Sequence, residues 1–155
     1  MTRQAAGWLL VAVQGILLVV LVLVPRVETD PARLVVGIGL VVAGCALGLV
    51  AGARLGAALT PTPVPTPEAG LRTSGPYRYL RHPIYTAVLL IAIGYTVAIG
   101  SWWSAAVCAL LAVFFWGKSR WEDALLREAY GDDWRIWAAE TGALLPSRHG
   151  RWRHD

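Results

Sequence analysis

The chain has 155 residues, 56% of them hydrophobic and 15% charged, with a formal net charge of +4, and its mean hydropathy is +0.53. That apolar excess is more than a soluble domain of this size carries, so much of the surface must face lipid. The basic residues lie in loops and tail between long uncharged runs rather than along one stripe, which points to membrane orientation instead of nucleic-acid binding.

The first uncharged run covers residues 8–24. Its 17 residues approach the roughly 20 a helix needs to cross the hydrocarbon, and the exit through Pro25 and Arg26 lacks the small-residue pattern of signal cleavage. A retained first span is predicted. A second run, predicted as a span over 34–56, carries Gly44, Gly48, Gly52 and Gly56 at intervals of four, a face on which a neighbouring helix can approach closely. Gly37-Ile38-Gly39 sits in the same run without the strand-turn-helix context of a dinucleotide site. Residues 60–67 alternate proline with other residues and predict a polyproline-like connector.

From Ile84 to Trp116 no charge occurs, and Gly100-Ser101 divides the stretch into a hairpin of two spans, 84–99 and 102–117. Residues 118–155 then hold seven Lys or Arg and seven Asp or Glu among Trp121, Tyr130, Trp134 and Trp137, which suits a helix lying along the membrane surface. The extreme C-terminus has no apolar period and is expected to be mobile. Cys45 and Cys108 stand alone in apolar runs, so neither a disulfide nor a metal site is expected, and both read as packing residues.

The prediction is a single all-α domain over 1–155, an integral membrane protein with about four transmembrane helices and a C-terminal interfacial amphipathic helix. Four spans place Arg3, the second loop and the tail on one side, which then holds twelve of the fourteen Lys and Arg. By the positive-inside rule that side is cytoplasmic, so both termini are cytoplasmic, with the plasma (inner) membrane as the expected location.

Between Tyr77 and Tyr85 two arginines, a histidine and three tyrosines fall within nine positions, and Pro83 stands where the first turn of a helix tolerates it. Interfacial anchoring accounts for such residues taken alone. The run Gly75-Pro76-Tyr77-Arg78-Tyr79-Leu80-Arg81-His82-Pro83-Ile84-Tyr85, however, resembles the signature of the isoprenylcysteine carboxyl methyltransferase and phospholipid methyltransferase superfamily. In that superfamily the Arg-His-Pro-x-Tyr element is followed by a hydrophobic hairpin, paired acids and an aromatic-Gly pair. Here these are matched by Glu122-Asp123 and Tyr130-Gly131, with Leu126, Trp134, Trp137 and Pro146 in the same order. The motifs span 75–85 and 118–146. Asp123 replaces the usual second Glu, Ala87 stands where Gly is frequent, and no basic residue precedes Pro146.

The resemblance implies a methyl transferase that uses S-adenosyl-L-methionine, releases S-adenosyl-L-homocysteine and acts on a lipid-like acceptor drawn from the bilayer. It assigns Glu122 to the cofactor's amino group and His82 with Arg81 to its carboxylate or ribose. Tyr77, Tyr85, Tyr130 and Trp134 become cofactor or pocket walls, and Pro83 and Gly131 shape the backbone. Arg78 or Arg81 would hold an acceptor carboxylate, the acceptor favoured because no additional base stands out. Three alternatives remain: an amine N-methyltransferase of phospholipids, a sterol-type reductase using NADPH, and a non-catalytic scaffold. Transport is disfavoured because the apolar runs that form the spans carry no charged residue.

Overall fold

Helix boundaries follow the capping side chains rather than the points where the apolar runs begin. The first helix, α1 (Arg3–Leu23), starts five residues before its apolar run because the Thr2 hydroxyl accepts the Ala5 N–H at 3.2 Å. The second, α2 (Pro31–Leu55), starts at a proline whose missing N–H costs nothing at N1, and the Asp30 carboxylate accepts the Arg33 N–H at 3.1 Å. Hydropathy alone had set those starts at 8 and 34. After a 3-10 turn, Gly75–Arg78, come α3 (Pro83–Ile99) and α4 (Trp102–Glu140). The computed structural model describes residues 2–28, 30–56, 59, 60, 62, 64 and 70–147. Most of the expected polyproline connector, and residues 148–155, fall outside these.

The architecture is all-helical, as expected. Helices α1, α2 and α4 are long and apolar enough to cross a membrane, while α3 is a shorter apolar helix. Its 17 residues rise about 26 Å against a hydrocarbon core of roughly 30 Å. Gly100, in the left-handed conformation at φ 64°, closes α3, and Ser101 opens α4, which is the turn the sequence predicts. Outward-facing Leu9, Ile16, Val19, Val42, Leu49, Leu110 and Val113 are exposed, a surface suited to lipid. Cys45 is exposed on the α2 surface and Cys108 is buried, in a core with Leu21, Ala92, Leu111 and Phe115.

Lipid tails are as apolar as Leu, so these helices associate through close packing rather than through release of water. The α2–α3 contact shows how close. A Cβ on Gly37 would sit 2.5 Å from the Gly94 carbonyl oxygen, and one on Gly94 would sit 2.6 Å from that of Gly37. Gly44 likewise lies under Ala87 and Ile91. The four-residue glycine ladder is therefore only partly the packing face. Gly44 and Gly48 meet α3, but Gly52 lies near Leu59 and Gly56 ends the helix at φ 53°. Gly37, which has no place in that ladder, makes the closest approach.

The charged segment after Lys118 does not begin a new helix. It continues α4 without a break to Tyr130, where Gly131 leaves helical geometry at φ 54° and ψ −120°, and the chain then resumes helix to Glu140. The rise in charge at 118 changes what the helix faces but not its propensity, since Lys, Arg, Glu, Ala and Leu all favour helix. The kink returns the last turns toward the 3-10 turn, where Trp137 packs with Tyr77 and Ala51.

The two ends of the bundle are distinct. At one, the Val27 N–H donates to the Ile99 carbonyl at 3.1 Å, tying the first loop to the α3–α4 turn. At the other, Arg3 pairs with Glu128 at 2.9 Å beside the charged part of α4.

Candidate functional site

The two motifs meet through their backbones. The Arg81 N–H donates to the Gly142 carbonyl at 2.7 Å, the His82 N–H to that of Ala143 at 3.1 Å, and the Gly142 N–H to that of Tyr79 at 3.3 Å. The Thr86 hydroxyl extends this seam to the Leu144 carbonyl at 2.8 Å, and the Trp137 indole donates to the Tyr77 carbonyl at 3.0 Å. Only glycine fits at 142, because a Cβ there would lie 1.7 Å from the Leu145 carbonyl oxygen.

This seam places Arg81 and His82 against the paired acids of α4. Successive residues on a helix point about 100° apart, so Glu122 and Asp123 face different surroundings. Asp123 turns to Arg81, whose Nε lies 3.2 Å from both carboxylate oxygens and whose Nη2 lies 3.0 Å from Oδ2. The same guanidinium donates to the carbonyls of Ala138 and Thr141, satisfying oxygens that the end of a helix leaves without partners. Arg81 also lies over the Trp134 ring, 5.9 Å from its centroid.

His82 stands between the two acids. Its Nε2 lies 2.9 Å from Asp123 Oδ1 and its Nδ1 3.5 Å from Glu122 Oε2. Burial by itself would depress the imidazole, but hydrogen bonds and charge from Asp123 and Glu122 outweigh it and raise the pKa to about 9. Asp123 moves the opposite way. Burial would raise its carboxyl, yet His82 and Arg81 hold it below the ordinary value. Near neutral pH His82 is therefore an imidazolium with both N–H groups directed at carboxylates.

Glu122 faces a cavity of about 310 Å³, at the lower end of the roughly 300–1,000 Å³ of small-molecule sites. The Tyr85 hydroxyl donates to it at 2.6 Å, and the Tyr85 ring stacks on His82 at 5.3 Å between centroids. Tyr77, Tyr130 and Trp137 supply aromatic wall, and Val88 and Leu126 apolar wall. Burial, followed by the Glu122 charge, pushes the Tyr77 hydroxyl well above the usual phenol value.

Of the residues singled out in the sequence, Tyr77, Arg81, His82, Tyr85, Glu122 and Tyr130 line this cavity. Pro83 is the buried first residue of α3 and Gly131 the kink in α4, both backbone-shaping positions. Trp134 does not line the cavity but packs on the cluster of Tyr77 and Trp137. Arg78 is exposed in a separate shallow groove with Leu47 and Val50, away from Glu122. Sequence reasoning missed Gln14 and Lys118 in the wall and gave no role to Asp123 or Trp137. Gln14 is the one strongly polar residue in the first apolar run, and Lys118 is the first charge after the hairpin. Both isolated signals pointed here.

A family model described as phospholipid methyltransferase matches residues 32–133, from the start of α2 to just past the α4 kink. No curated protein matches the chain significantly.

Proposed function

The chain belongs to the phospholipid methyltransferase family, a family of membrane methyltransferases, and from that premise we propose that it transfers a methyl group from S-adenosyl-L-methionine to a carboxylate on a lipid-like acceptor. The observation that carries the reading is the meeting of Arg81-His82 with Glu122 around one cavity.

The donor set fits the cofactor. Glu122 can accept from the α-amino group, and exposed Arg72 at the cavity wall can meet the carboxylate. Tyr77, Tyr130 and Trp137 offer faces to the adenine and to a cation. When bound, S-adenosyl-L-methionine supplies an electrophilic methyl on a sulfonium, whose charge is lost as the methyl moves. The chain's own contribution is placement and an apolar surround: Val88, Leu126 and Ile84 line the space shared with Glu122. His82 holds the carboxylate of Glu122 in place, and Asp123 with Arg81 holds His82. Arg81 thus acts through His82, with its own N–H groups already committed to protein oxygens.

A carboxylate acceptor is favoured because neither His82 nor Tyr77, both in the cavity wall, offers a free base. His82 is an imidazolium between two acids, and Tyr77 keeps its proton. An amine acceptor must lose a proton on methylation, whereas a carboxylate need not.

Arg3 beside Glu128, with the first loop beside the α3–α4 turn, supports four crossings with both termini on the cavity side. The excess of Arg there makes that side cytoplasmic and the plasma (inner) membrane the expected location. The cofactor then enters from the cytoplasm and the acceptor from the bilayer.

Incubating purified protein with S-adenosyl-L-methionine and a membrane lipid extract should yield lipids heavier by one methylene. Parallel titrations with S-adenosyl-L-homocysteine and NADPH separate this reading from a reductase. Binding of NADPH alone would end it.

A further inference from the structure

The cavity contains a cation that the cofactor assignment leaves unused. Lys118 is 4% exposed, and its Nζ donates to Gln14 Oε1 at 2.7 Å, its one hydrogen bond among the described residues. The ammonium also lies 4.8 Å from the Tyr85 ring centroid and about 6 Å from those of Phe114 and Phe115. An ammonium has three donors. One is used on a neutral amide, aromatic faces surround the head, and no described carboxylate lies within ion-pair distance. Keeping a charge so deeply buried with so little compensation is costly unless an anion joins it.

Its position says which anion. Lys118 precedes Glu122 by one helical turn, toward the apolar half of α4, and Gln14 lies midway along α1. Both line the same cavity as Glu122 and His82. Gln14 belongs to a helix long and apolar enough to cross a membrane, the side from which a lipid-like molecule comes, whereas Arg72 of the same wall is exposed in the loop before the 3-10 turn.

We propose that Lys118, oriented by Gln14, is the subsite for the anionic head of the acceptor, and so determines specificity for a lipid carboxylate over an uncharged lipid. The assignment rests on the methyltransferase reading for what the anion is, and it transfers to Lys118 the role the sequence suggested for Arg78 or Arg81. A charge-assisted hydrogen bond replaces the missing compensation, on a scale of ~1.5–3 kcal/mol.

The test uses full-length protein in lipid nanodiscs, titrated calorimetrically with dodecanoate, with dodecanoate methyl ester and with S-adenosyl-L-homocysteine. The wild type should prefer the acid over the ester by about tenfold or more, the equivalent of ~1.4 kcal/mol. Lys118→Met should abolish that preference and leave S-adenosyl-L-homocysteine affinity unchanged. Gln14→Glu, which supplies Lys118 with a permanent anion, should abolish it too. An acid preference surviving in either variant overturns the proposal. So does a loss of S-adenosyl-L-homocysteine affinity in Lys118→Met with the preference intact, which would place the cofactor's carboxylate at Lys118. Failure of the wild type to bind S-adenosyl-L-homocysteine would instead count against the methyltransferase reading, while the acid-to-ester ratio still judges the subsite.

Discussion

Two joints hold this molecule together, and they work by opposite means. Where α2 crosses α3 the chain removes side chains, so that the Gly37 and Gly94 backbones approach and dispersion replaces the missing hydrophobic drive. Where the 79–82 segment meets the end of α4 the chain adds charge and hydrogen bonds: Arg81, His82, Asp123 and the carbonyls of Ala138 and Thr141. The first joint tolerates lipid because it exposes nothing polar. The second builds a site because its charges are fixed before any ligand arrives.

The sharpest way to break the polar joint is Asp123→Ala, which takes a carboxylate from the buried His82 imidazolium and the half-buried Arg81 guanidinium. A loss of about 3–5 kcal/mol in unfolding stability is expected, read by chemical denaturation in mild detergent. A loss under ~1 kcal/mol would mean the ion pairs are ornamental. At the apolar joint, Gly37→Val drives a side chain into the Gly94 carbonyl and should cost about 1–3 kcal/mol or more.

The joints should also separate by pH. His82 is raised from 6.5 to about 9 in the folded chain, so folded protein binds more protons than unfolded across that window. The stability it confers is complete below about pH 6.5, falls as pH rises and is gone above about 9. Melting temperature should decline over this range in the wild type and in Gly37→Val alike, and flatten in His82→Gln. A flat wild-type profile contradicts the imidazolium. The smallest effect belongs to Gly39, two residues after Gly37 on the other side of α2 with open space around it: Gly39→Ala should be neutral or up to ~1 kcal/mol stabilising.

Sequence reasoning reached the polar joint more fully than the apolar one. Charge within a hydrophobic chain is conspicuous, so His82, Arg81 and Glu122 stood out, and the intervening hairpin brought them together. The division of labour between Glu122 and Asp123 stayed hidden because adjacent acids look alike until a helix turns them to different neighbours. Gly142 stayed hidden as well, since its requirement arises from the fold-back of residues 143–145 rather than from any local pattern. At the apolar joint the four-residue spacing pointed to Gly44, Gly48, Gly52 and Gly56, but the crossing of α2 on α3 uses only Gly44 and Gly48 of these and adds Gly37, a register that only the second helix defines. Lys118 and Gln14 are 104 residues apart and form a pair only once α1 packs on α4.

The central claim is that Glu122, held by His82, receives the amino end of S-adenosyl-L-methionine. Calorimetric titration of S-adenosyl-L-homocysteine into wild type and Glu122→Gln tests it most directly, because glutamine keeps an acceptor for Tyr85 while losing the charge. Affinity should fall about tenfold or more, equivalent to ~1.4 kcal/mol, with the melting temperature retained. Equal affinity in the two proteins would contradict the account.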